Sequence, residues 1–153
     1  MGEICCFAGH RDEIYNDEVY NRLKNTIENL ITKENVTEFW VGNYGKFDSL
    51  SARAVNNVKE KYPHIVLNLI VPYLSTSFAE YKKLYEIYDN IIIADMPENT
   101  PIRYRILKCN QYMVKSSDFL VCFIKYMWGG CAKTLNYAKL QKNIKIFNLA
   151  DKF

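Results

Sequence analysis

Ile4-Cys5-Cys6-Phe7-Ala8 is an unbroken apolar run that stops at Gly9. A short run without polar alternation marks a parallel strand buried on both faces, and the glycine at its end permits a tight turn. The same rhythm repeats outward along the chain. Asn16 or Asp17 can cap a helix whose apolar residues Val19, Leu23, Ile27, Leu30 and Ile31 keep helical spacing. Val36 to Val41 reads as a second strand closed by Gly42. Asp48 or Ser49 then caps a helix carrying Leu50, Ala54 and Val58 on one face, stopped by Pro63. His64 to Val71 is a third strand, ended by Pro72. A tyrosine-rich helix runs from about Ser77 to Tyr88. Ile91 to Ala94 is a fourth strand, and Thr100-Pro101 opens a helix to about Ser116, since proline at a first helical position gives up an N–H that has no partner anyway. Phe119 to Ile124, a helix from about Cys131 to Gln141, and Ile144 to Asn148 complete the series. This alternation predicts an α/β fold: an open, mostly parallel sheet of about six strands with helices on both faces.

At 153 residues the chain is expected to form one domain, residues 1–153. Hydrophobic residues make up 49% and charged residues 24%, which excludes disorder as a description of the whole. The net charge is +3, from 20 basic and 17 acidic residues that alternate in sign. That pattern lacks the clustered basic face of a DNA-binding domain, so no nucleic-acid partner is expected. The five cysteines are Cys5, Cys6, Cys109, Cys122 and Cys131. Their number is odd and no C-x-x-C pair occurs, so neither a disulfide framework nor a zinc site fits. Cys5, Cys6 and Cys122, in apolar strand-like runs, are expected as core thiols in a reducing, cytoplasmic compartment, with no metal and no cofactor. No signal-peptide pattern is visible, and no apolar run approaches the roughly 20 residues that span a bilayer, so a soluble protein without a membrane partner is expected.

In an open α/β sheet, ligands bind beyond the carboxyl ends of the strands, near the switch in strand order. The loops at those ends are unusual. Gly9-His10-Arg11 follows the first strand, and Gly42-Asn43-Tyr44-Gly45-Lys46-Phe47-Asp48 the second. Asp95 follows the fourth, with Arg103 and Arg105 beyond it. Trp128-Gly129-Gly130 and then Lys133-Thr134 follow the fifth. Glycines let a backbone approach a ligand closely, and a helix N-terminus offers N–H groups to phosphate. Arg11, Lys133 and Thr134 could add polar contacts, Asp95 could accept from ribose hydroxyls, and Tyr44 and Trp128 could stack on a base. Tyr81, Tyr85 and Tyr88, at helical spacing, are expected to line the core or a subunit interface.

Three of these loops resemble the SLOG superfamily, the Rossmann-like group that contains the LOG phosphoribohydrolases, and in particular its small YpsA-like members. The residues that carry the resemblance are Phe7-Ala8-Gly9-His10-Arg11, the Gly-x-x-Gly-x-Phe-Asp loop from Gly42 to Asp48, and the Gly-Gly-x-x-x-Thr segment from Gly129 to Thr134. The resemblance runs from about residue 4 to 150. It implies binding of a nucleotide-derived ligand, such as a nucleoside phosphate or an ADP-ribose derivative, by a sensor or sequestering protein of the kind found in antiphage signalling. The catalytic members carry Pro-Gly-Gly-x-Gly-Thr-x-x-Glu, and their glutamate takes part in the chemistry. Here Asn136 or Tyr137 occupies its place, depending on whether the glycine pair or the threonine is aligned.

One cleft built from these loops is expected to take the ligand. Gly9, His10 and Arg11 hold one end of a small nucleotide-derived molecule, and Gly129, Gly130, Lys133 and Thr134 hold its phosphate. Gly42, Asn43, Tyr44 and Asp48 shape a side wall, Asp95 meets ribose, and Arg103 and Trp128 add to the site. The alternative is an N-glycosidase, phosphoribohydrolase or deoxyribosyltransferase-like enzyme that draws its carboxylate from Glu80 or Asp95. The aromatic-rich helices lead to the expectation of a homodimer or homotetramer.

Overall fold

The computed structural model describes residues 2–73 and 77–151, with the side chain of Phe78 left aside. Its strands are β1 (Glu3–Gly9), β2 (Val36–Val41), β3 (Val66–Val71), β4 (Asn90–Ile93), β5 (Phe119–Phe123) and β6 (Lys145–Asn148). Among the described residues five helices alternate with them: α1 (Asp17–Lys33), α2 (Lys46–Lys59), α3 (Phe78–Ile87), α4 (Ile102–Ser116) and α5 (Gly130–Lys139). The strands form one sheet in the order β4-β3-β2-β1-β5-β6, and every pairing is parallel. This is the expected α/β, Rossmann-like architecture. No helix among the described residues is long and apolar enough to cross a membrane.

The apolar run that opens the chain works as a two-sided strand. Side chains alternate across a sheet, so neighbours in sequence enter opposite layers. Cys5 and Phe7 join the layer under α1 and α2, while Cys6 and Ala8 join the layer under α4 and α5. β5 repeats the division, with Phe119, Val121 and Phe123 on the first side and Leu120 and Cys122 on the second. All four of these strand and helix cysteines, Cys5, Cys6, Cys109 and Cys122, are buried as free thiols. The register of β1 against β2 shifts between Glu3 and Ile4, which pair with Val36 and Glu38. One extra residue in β2 accounts for its broken alternation.

Local chemistry sets the helix ends. Asn16 caps α1, its Oδ1 accepting from the Val19 N–H at 3.0 Å. Asn35, just past the other end, takes a left-handed φ of 57°, a conformation asparagine tolerates. Ser77 caps α3 by accepting from the Glu80 N–H. Three helix starts differ from the sequence reading. α4 begins at Ile102, with Pro101 as its extended cap residue and not its first helical residue. α2 begins at Lys46 with Gly45 as its cap residue, ahead of Asp48 and Ser49. The cause lies in a distant segment: the Lys46 N–H donates to the Arg11 carbonyl at 2.9 Å, and this anchors the helix at least three residues early. α5 begins at Gly130 because Gly129, at φ 94°, turns the chain sharply enough to start it there.

Of the three tyrosines at helical spacing, Tyr88 is buried in the core and Tyr85 is exposed, while the Tyr81 hydroxyl is buried without a hydrogen-bond partner.

Candidate functional site

The chain moves outward from β1 to β4, then crosses back to place β5 on the other side of β1. The connections on either side of β1 and β5 therefore diverge, and a crevice must open between them at the carboxyl ends. A cleft of about 720 Å³ occupies this position. Its walls come from the loop after β1, the start of α2, the first turns of α4 and the start of α5.

The floor is set by close packing. Gly9 passes so near Phe47 that a Cβ there would lie 2.3 Å from the ring. Gly45 passes Arg11 in the same way, with a virtual Cβ 2.7 Å from the Arg11 Cα. The loops after β1 and β2 are thus locked together. Tyr15 completes the lock: its hydroxyl donates to the His10 carbonyl at 2.8 Å and its ring packs on Phe47 and Phe123.

His10 is held from both sides of its ring. Nε2 accepts from the Lys125 N–H at 2.9 Å, and Nδ1 lies 3.1 Å from the Cys131 sulfur. With Nε2 an acceptor, the proton of neutral imidazole sits on Nδ1 and points at that sulfur. Burial lowers the His10 pKa, as does the Lys125 ammonium, while Glu13 opposes them. Burial raises the Cys131 thiol, and the N–H groups of the helix start pull it back in part. Lys125 itself pairs with Glu13.

Asp48 lines the opposite wall. It accepts from the Tyr44 N–H at 3.0 Å, and burial pushes its carboxyl up to about 6 against the lowering influence of that N–H and of Arg11. Above it stands an aromatic ridge. The Tyr126 ring lies 4.7 Å from the His10 ring and stacks on Trp128 at 5.0 Å and 22°. Trp128 is 71% exposed, whereas Trp40, the other tryptophan, is 8% exposed in the core. Arg11, Arg103 and Lys133 bring positive charge to the cleft from three separate segments; Asp12, Glu13 and Asp48 bring negative charge. Tyr104, with the Arg103 guanidinium 4.9 Å from its ring centre, adds another half-exposed aromatic.

Of the residues singled out in the sequence, Gly9, His10, Arg11, Tyr44, Asp48, Arg103, Trp128, Gly129, Gly130 and Lys133 meet at this cleft. The others lie elsewhere. Gly42 is buried behind Asp48, and Asn43 is exposed outside the cleft. Thr134 is buried, its hydroxyl donating back to the Gly130 carbonyl at 3.1 Å. Asp95 follows β4, the far edge strand, and Glu80 is exposed on the first turn of α3. Sequence reasoning passed over Tyr126, Tyr104 and Cys131 as site residues. Tyr126 had a signal, since it stands two residues before Trp128 in an irregular loop. Cys131 had one too, being a thiol just inside a helix start that follows a glycine pair. Among the described residues no group of three or more His, Cys, Asp or Glu side chains is placed to hold a metal ion.

The fold is similar to that of part of DNA processing protein A. The Streptococcus pneumoniae protein superposes with a TM-score of 0.65 at 12% identity over 90% of this chain, and the Helicobacter pylori protein with 0.63 at 16% over 95%. The chain spans 47% and 65% of those two proteins. In sequence it is 27% identical, over 135 residues, to the uncharacterized SPbeta prophage-derived protein YoqJ of Bacillus subtilis (strain 168), covering 78% of this chain and 79% of the relative. No family model matches the chain.

The likeness to the two solved structures corrects two expectations. The Helicobacter pylori structure describes a single-stranded DNA binding mode. The reading as a sensor or sequestering protein for a small nucleotide signal, with an N-glycosyl enzyme as its alternative, gives way, and so does the exclusion of nucleic acid. The physical reason for the error is that alternating charge along a sequence says nothing of where the fold gathers it. Single-strand binding, moreover, draws on aromatic faces as well as on cations.

Proposed function

We propose that this chain binds single-stranded nucleic acid across the cleft at the carboxyl ends of β1 and β5. The observation that carries the reading is the exposed Tyr126–Trp128 stack standing beside the N-terminus of α5. Every base has a π-face, so an exposed aromatic platform takes successive bases without regard to sequence. Phosphates of the same strand meet the backbone N–H groups at the start of α5, Gly129-Gly130, and the cations Lys133, Arg103 and Arg11. Glu13 is neutralised by Lys125, and the raised Asp48 carboxyl is partly protonated just below neutral pH, which reduces the negative charge a strand would meet. The single-stranded DNA binding described for the Helicobacter pylori protein supports the reading.

With it goes a view of the chain as one SLOG-like domain, residues 1–153, of the small YpsA-like kind. Its buried free thiols suit a reducing, cytoplasmic compartment.

The test is a titration of the purified protein with oligothymidylate, followed by tryptophan fluorescence. Trp40 is buried, so quenching reports Trp128. The expected result is saturable quenching that weakens steeply as salt rises. An unquenched signal at low salt, with no change in the anisotropy of a labelled oligonucleotide, overturns the proposal.

A further inference from the structure

The Tyr126–Trp128 ridge has a second side. Beyond it, between the β5–α5 loop, α5 and the end of β6, lies a hollow of about 350 Å³. Tyr126 lines this hollow and the large cleft alike, so the two are neighbours across one side chain. Ala132 and Leu135 give the hollow an apolar floor, and Met127, 78% exposed, sits at its rim. Its back is rigid. The Asn148 side chain accepts from the N–H groups of Ile124 and Ala150 and donates to the Ile124 carbonyl, which leaves it committed to the backbone.

The polar face comes from α5. Asn136 and Lys139 are three residues apart, so they share one side of the helix, and both are exposed. Lys125 is occupied by Glu13, and Lys139 forms no ion pair among the described residues. Asp151 is the one acid among the lining residues. An apolar floor with an exposed thioether at its rim, an aromatic wall and a cation at one side match the demands of a base and its phosphate.

We infer that the hollow is a second nucleotide subsite. A single strand lying in the cleft crosses the Tyr126–Trp128 ridge and continues into the hollow, where a base rests against Met127 and Leu135 and a phosphate meets Lys139. The inference rests on the reading of the cleft and extends it, from one binding pocket to a continuous path with a longer footprint.

The test measures affinity for a series of oligothymidylates of about 4 to 16 nucleotides, for the wild-type protein and for Lys139→Ala. Lys139 is exposed, so the variant should keep its fold, checked by its melting temperature. Wild-type affinity is expected to rise with length and level off. In Lys139→Ala the shortest oligonucleotides should bind as before, the gain with length should shrink, and the salt slope for the longest should fall by about 0.7, one phosphate's share on a single strand. Identical behaviour of both proteins at every length and salt overturns the second subsite while leaving the cleft standing. Equal weakening at all lengths also overturns it, by placing Lys139 in the general field of the cleft. If the wild type binds none of the oligonucleotides, the reading of the cleft fails and the subsite falls with it.

Discussion

Nδ1 of His10 and Sγ of Cys131 meet at 3.1 Å across a sequence separation of 121 residues. The pair ties the end of β1 to the start of α5, the two segments that flank the switch in strand order. It also leaves Cys131 facing the cleft, unlike the four thiols buried in the core. Burial raises the Cys131 pKa, so the thiol is accessible without being strongly activated.

A first prediction concerns counting thiols. A disulfide reagent such as DTNB should modify one cysteine per native chain at pH 8, more slowly than free cysteine, and all five after denaturation. Cys131→Ser should abolish the native reaction. A native count above one would show that a core thiol is reached through an opening this packing does not contain.

The aromatic ridge makes a second prediction. Trp128→Ala should weaken binding of oligothymidylate by about 1–3 kcal/mol, roughly five- to 150-fold. Its melting temperature should stay close to that of the wild type, because the side chain is 71% exposed. Anisotropy of a labelled oligonucleotide measures the loss. Unchanged affinity would move the bases off the ridge.

Glycine substitutions should separate packing from backbone strain. Gly9→Ala forces a methyl group into the buried Phe47 ring and should cost about 1–3 kcal/mol or more in urea unfolding. Gly129→Ala has open space around it but a φ of 94°, and should cost about 1–2 kcal/mol. Gly130→Ala meets neither obstacle and should leave stability unchanged or slightly raised. A different ranking of the three would contradict the geometry of the glycine turns.

Asp48 predicts a pH dependence with a definite sign. Its carboxyl is raised from 3.8 to about 6 in the folded protein, with burial the main cause. Between those values the folded state binds more protons than the unfolded, so this group's contribution falls as pH rises. It is fully favourable below pH 3.8 and lost as pH passes 6, by at most about 3 kcal/mol. His10, whose pKa is lowered, contributes in the opposite direction, being lost as pH falls, so the comparison must be by variant. Asp48→Asn should gain stability over the wild type at pH 7 and lose the advantage at pH 4. An equal difference at both values would place the titration elsewhere.

Much of the architecture follows from linear order. Runs such as Ile4–Ala8 and Phe119–Ile124, alternating with helical spacings such as Val19-Leu23-Ile27, leave a parallel sheet with helices on both faces as the one economical arrangement. The ends of the elements were less legible where a distant segment intervenes. Asp48 carries a good capping side chain, yet α2 starts at Lys46, because the Arg11 carbonyl takes the Lys46 N–H.

The site divides in the same way. That loops after strands carry it is a consequence of parallel topology, and Gly9-His10-Arg11 and Trp128-Gly129-Gly130 could be marked in advance. Which loops converge depends on strand order, and strand order is set by packing between elements far apart in the chain. Because β5 lies beside β1 and β4 lies at the edge, Arg103 and Trp128 join His10 while Asp95 stays outside. Charge obeys the same rule: a sequence of alternating sign and net +3 determines the total, but only the tertiary structure brings Arg11, Arg103 and Lys133 to one cleft beside an exposed aromatic stack.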